Sequence, residues 1–110
     1  MAPISKIKED AMSIKFIRTL REVKNGNDLE GDRYRIRLCK TESGQYLLVV
    51  EMATWGWVAD TSTMSVFPCD EAGNRLPQMF PTASMNASNR DLFSDETIFE
   101  AITAAMTGNA

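Results

Sequence analysis

Between residues 33 and 38 the chain alternates without a break. Arg33, Arg35 and Arg37 occupy the odd positions, and Tyr34, Ile36 and Leu38 the even ones. A period of two sends the two sets to opposite faces of a strand, so "RYRIRLCK" (33–40) predicts a half-buried strand with an arginine face and an apolar face. "TESG" then turns the chain into "QYLLVVEM" (45–52), which is apolar on both faces and reads as a central strand. A further strand is expected around "TMSVF" (63–67), closed by Pro68 and a "DEAGN" turn whose glycine suits left-handed backbone.

The N-terminal stretch is less uniform. Ile4, Ile7, Ala11 and Ile14 share one helical arc, while Phe16, Ile17, Leu20 and Val23 fall on the opposite one at about 100° per residue. One amphipathic helix cannot bury both arcs in one core. The segment therefore divides near Met12. Residues 1–11 form a tail or a short helix over 3–11, and "SIKFIRTLREV" (13–23) is a strand rich in β-branched and aromatic residues. "NGNDLEGD" (25–32) reads as a turn.

Toward the C-terminus, residues 75–93 show no sustained period and hold two prolines with many Ser, Thr and Asn, which predicts a long loop. "SDETIFEAITAAMTGN" follows as a helix over 94–107. Ser94 is its N-cap, Asp95 and Glu96 favour its positive end, Ile98, Ile102, Ala105 and Met106 form its stripe, and Gly108 ends it. The sum is an α+β fold: one domain over 12–110, with an antiparallel sheet of about four strands and the C-terminal helix packed on one face.

Composition narrows the class. At 110 residues, 44% apolar and 25% charged, the chain can build a single core. "YLLVV" is far too short to span a membrane, and no basic n-region precedes an apolar h-region, so a cytoplasmic protein with no membrane partner is expected. The net charge of −3 is unevenly divided. Ten Lys/Arg face seven Asp/Glu in residues 1–45, and two face eight in 46–110.

Candidate chemistry is sparse. The absence of histidine removes the commonest general base and zinc ligand. Cys39 and Cys69 have no metal-ligand spacing. Cys69, beside Asp70 and Glu71, should have a raised pKa, whereas the arginines near Cys39 could lower that of its thiol. The calcium-like run 25–32 has Leu29 at its third ligand place. Nucleotide and hydrolase motifs are missing. The expectation is a protein that is not an enzyme and has no cofactor or metal.

Recognition remains. Arg33, Arg35 and Arg37 would project about 6–7 Å apart, as a solvated face or as one suited to an acidic protein surface or to phosphates. Trp55 and Trp57 flank Gly56 and read as core, as protein-interface anchors or as a base-stacking platform. Met79 and Phe80 sit between Pro77 and Pro81 in a stiffened polar loop, where apolar side chains suit docking. These seven residues are the candidate partner-binding set. The resulting expectation is a small protein-binding domain that occludes or bridges a larger protein or ribonucleoprotein. Its size, acidity and lack of motifs are those of accessory or inhibitor proteins of mobile elements, such as phage inhibitors of host defence, by analogy of kind alone. Two alternatives stand beside it: a nucleic-acid-associated protein using the arginine row, and an obligate homo-oligomer.

Overall fold

Five strands follow one another across a single antiparallel sheet in the order in which they occur in the chain. In the computed structural model, described for residues 13–77 and 80–107, they are β1 (Lys15–Gly26), β2 (Gly31–Lys40), β3 (Tyr46–Trp55), β4 (Thr61–Cys69) and β5 (Ala83–Ala87). A single helix, α1 (Asp95–Met106), follows them. The expected tail or helix over 1–11 and the helix-ending Gly108 lie outside the described residues.

The α+β class with a C-terminal helix holds, but the sheet has five strands rather than about four. The additional strand is "ASMNA" (83–87), which lies inside the stretch read as a long loop and pairs with β4 from Ser62↔Ala87 to Val66↔Ala83. It is a short edge strand that alternates, with Ala83, Met85 and Ala87 partly buried and Ser84 and Asn86 exposed. The alternation lasts only five residues and two of its three apolar positions are alanines, so its signal is weak. The turn read over 25–32 is also shorter. Asn27 Oδ1 accepts from the backbone N–H groups of Leu29 and Glu30 (2.8 and 3.1 Å), and that Asx-turn lets β1 run on to Gly26 and β2 begin at Gly31.

Register fixes the two faces. Cys39 lies opposite Leu47 and Arg37 opposite Val49, and Leu47 in turn faces Pro68 and Val49 faces Val66. This set packs with Ile14, Met64, Ile98 and Ile102 into the main core, so it is the face that carries α1. The arginines therefore share the helix face, and the even residues Ile36 and Leu38 point to the other side. An apolar-in, arginine-out strand, the simplest reading of the alternation, is reversed here because both faces of this sheet are partly covered.

Length explains how arginines come to lie on the core face. Twelve helical residues span about 18 Å, whereas the ten residues of β3 span about 33 Å. The helix thus covers only part of the strands, through Ile98 and Ile102. Met106, expected in its stripe, is 43% exposed. Ser94 caps the helix as expected, its Oγ accepting from Thr97 N–H at 3.2 Å. Beyond the helix, the connection over 88–94 crosses the same face: Ser62 Oγ bonds Asn89 Oδ1 at 3.3 Å, and the Arg90 guanidinium lies 4.9 Å from the Trp55 ring.

The opposite face is closed only at one end. Leu38, Leu48 and Cys69 form a second buried cluster with Ile36, Tyr46 and Val50 against it. At this end the Asp70–Asn74 turn folds back toward β1: Arg18 reaches the Glu71 carbonyl oxygen, and a Cβ added at Gly73 would lie 2.7 Å from Leu20 Cδ1. Gly73 also has φ of +89°, and it is this backbone that requires glycine, since the Leu20 side chain can yield. Two register shifts, at Ile17 and Leu20, let β1 bend over this end.

Candidate interaction surfaces

The arginine row is built into an ion-pair network. Arg35 donates through Nε and Nη2 to the two carboxylate oxygens of Glu51, at 2.8 and 3.0 Å. Arg37 donates through Nη2 to Glu51 Oε2 and through Nη1 to Asp95 Oδ1, both at 3.1 Å. Arg33 pairs with Glu22 at 2.7 Å in a more exposed position. Three arginines thus meet three carboxylates. Glu51 is fully buried, and the Arg37 side chain, 10% exposed, lies with its guanidinium carbon 3.5 Å from the Phe16 ring centroid. The Arg37 Nε is buried without a hydrogen-bond partner. Burial works against the charge of Arg35, but the bonds and charge of Glu51 outweigh it and raise its pKa above the usual value. Glu51 is the residue that sequence reasoning missed. Its signal was present: a single acid inside an apolar central strand, next to a strand with three arginines on one face.

Trp55 and Trp57 are separated by the end of β3. Trp55, the last strand residue, is 6% exposed, and its Nε1–H donates to the Asn27 carbonyl oxygen at 2.6 Å. It lies under the β1–β2 turn, where a Cβ on Gly31 would come within 2.7 Å of its ring. Trp57 lies outside the strand, so the alternation that would place it beside Trp55 has already ended. It is 94% exposed.

Trp57 has apolar company at this end of the sheet. Val58 is 98% exposed, and Leu29, in the β1–β2 turn, is 85% exposed. The two turns are neighbours: Gly31 pairs with Trp55, and a Cβ on Gly56 would lie 3.3 Å from Glu30 Cγ. Arg90 ties the third segment to them by donating to the Asp28 carbonyl oxygen at 2.9 Å. Together these three segments make the tip of the molecule.

Phe80 does not join this group. It is 70% exposed, in the connection between β4 and β5, where Leu76 N–H donates to Pro68 O and Thr82 N–H to Val66 O. Trp57 precedes the other end of β4, roughly 20 Å away at about 3.3 Å per residue. Met79, proposed with Phe80, lies outside the described residues.

The thiols are held neutral. Burial pushes Cys39 up to about 12, the nearby Cys69 adds to this, and Arg37 opposes it only weakly. The expected lowering by the arginines is overturned, because desolvation dominates. Cys69 is raised by burial first and then by the Asp70 charge. Among the described residues, no group of three or more Cys, Asp or Glu is placed to hold a metal ion, and no helix is long and apolar enough to cross a membrane. Comparison with family models, with curated proteins and with solved structures finds no match in any of the three.

Proposed function

We propose that this chain is a small, non-catalytic protein-binding domain that docks on a larger partner through the tip carrying Leu29, Trp57 and Val58. One observation carries the reading: three large apolar side chains stand almost fully in water on neighbouring turns of a protein that buries its other tryptophan. Burying such side chains is worth about 1.5–3 kcal/mol each, and tryptophan is the residue most enriched at interface hot spots. Their exposure contributes nothing to the fold, so binding is the use that fits them. An accessory or inhibitory role, in which the tip occludes a site on the partner, is the action this shape suits.

The arginine row supports this reading by what it already does. Each arginine is paired with a carboxylate of the same chain, so the sheet face it lines is not a free phosphate track. The test is affinity capture from a lysate of the producing cell, wild type against Trp57→Ala/Val58→Ser. A specific partner retained by the wild type and lost with the variant is expected. Capture that is indifferent to the substitutions would refute the tip as the contact surface.

A second reading, self-association, is favoured by one feature. The open half of the sheet face opposite the helix carries Val23, Tyr34 and Met52, all at least partly exposed, beyond the Ile36 and Val50 side chains that border the buried cluster. A molecular mass that rises with concentration in sedimentation would support it, and a monomer throughout the micromolar range would exclude it.

A further inference from the structure

The tip carries chemistry that narrows its partner, an inference that rests on the binding reading above. Around Leu29, Trp57 and Val58 stand Asp28, Glu30, Asp60 and Asp91, on the same three segments. One cation, Arg90, lies among them, and it is engaged with Asp28 and the Trp55 ring. Four carboxylates against one guanidinium give the tip a local charge of −3, equal to that of the whole chain. The remainder of the protein is therefore nearly neutral, and its acidity is concentrated where the apolar side chains are exposed.

This combination excludes two ordinary uses of exposed aromatic turns. A tip inserted at a membrane surface would bring four carboxylates against anionic headgroups, which attract basic segments. A base-stacking tip would carry the same charges toward phosphates, where binding needs cations. What complements it is a protein surface with lysines and arginines around an apolar socket. Opposite charges at the rim would speed encounter and fix orientation, and the socket would take the Trp57 indole. We infer that the tip recognises a basic protein face with an apolar pocket at its centre.

A random-peptide display library selected on the immobilised full chain provides the probe. Selected peptides are expected to be enriched in Lys and Arg interspersed with aliphatic or aromatic residues. Their binding should be lost with Trp57→Ala. It should weaken about tenfold (about 1.4 kcal/mol) with Asp28→Asn/Glu30→Gln/Asp60→Asn, and fall as salt rises from about 50 mM to about 0.5 M. Circular dichroism establishes that each variant is folded. Peptides lost with Trp57→Ala but neither basic nor sensitive to the neutralised acids would overturn the basic partner and leave the contact surface standing. A selection that yields only binders indifferent to Trp57→Ala, or no binders, would overturn both.

Discussion

Replacing Glu51 by glutamine changes a fully buried carboxylate into a neutral group of the same shape, and the structure sets what that costs. Glu51 accepts two hydrogen bonds from Arg35 and one from Arg37, and the arginine side chains are only 16% and 10% exposed. Folding has therefore already taken three ionised groups largely out of water. With Glu51→Gln, Arg37 keeps Asp95, but Arg35 loses the carboxylate that it grips with two donors. The glutamine amide also turns an N–H₂ toward one of the guanidinium groups. Removing one partner from a buried pair typically costs about 3–5 kcal/mol, because the remaining charge stays buried without compensation. Against a total stability on the order of 5–15 kcal/mol, such a loss is a large fraction of the whole. In urea titration, with a slope of about 1–3 kcal/mol/M for a small domain, the midpoint should fall by at least about 1 M at unchanged slope. Glu22→Gln is the internal control. Its pair with Arg33 is partly solvated, and its removal should cost under about 1 kcal/mol. The joint replacement Arg35→Met/Arg37→Met/Glu51→Leu should restore most of what Glu51→Gln loses, since apolar packing can substitute for a buried ionic cluster. A loss below about 1 kcal/mol for Glu51→Gln would show that the network is solvated in solution, and would refute the reasoning.

Other outcomes follow from the same structure. Trp55→Ala should destabilise the protein by about 3–5 kcal/mol in chemical denaturation, while Trp57→Ala should change stability by less than about 0.5 kcal/mol. Correspondingly, Trp57→Phe should leave a blue-shifted emission that resists acrylamide, and Trp55→Phe should leave a red-shifted, readily quenched one. Cys39, with a pKa pushed up to about 12, should stay unmodified by a thiol reagent at pH 8 and react once the protein is unfolded in denaturant. Two carboxyls are held below their ordinary values: Glu22 by the Arg33 hydrogen bond, and Asp70 by hydrogen bonds from Asn74 and neighbouring backbone N–H groups. Because the folded values are depressed, the stability they add is complete above the unfolded values of 4.5 and 3.8. It is lost as pH falls through the lower folded values. Denaturation midpoints should therefore decline below about pH 4.5, less steeply in Glu22→Gln/Asp70→Asn.

Much of the scaffold could be read from residue pattern, because its elements report their own burial. "RYRIRLCK" alternates, "YLLVV" is apolar throughout, and Ser94 with Asp95 and Glu96 announces a helix start; each became the element it predicts. β5 escaped because its alternation lasts only five residues and two of its three apolar positions are alanines, too little to stand out within a stretch rich in Ser, Thr and Asn. The orientation of the arginine row escaped for a different reason. Alternation tells which residues share a face, but which face the helix covers depends on contacts made from the far end of the chain, through Asp95 and residues 88–94. The tryptophans were ambiguous because their placement turns on where β3 stops. Pairing with Gly31 holds the strand to Trp55, and a hairpin partner of that kind is not a property of "TWGW" itself. The tip likewise joins turns more than twenty residues apart in sequence, so its charge and its apolar side chains came together only in space.

The order of the strands has a consequence for how the chain must fold. Every strand pairs with its immediate predecessor, and the first three connections are turns of four or five residues. Such pairings cost little loop-closure entropy and can form as soon as each strand is made. The exception is the cover of the core. Leu47, Val49, Met64 and Val66 wait for Ile98 and Ile102, which follow only after all five strands. During synthesis, an almost complete sheet would stand with one apolar face uncovered until the helix emerges and closes it. The helix is then the lock of the fold, and a chain stopped before residue 95 would be a sheet in search of another surface.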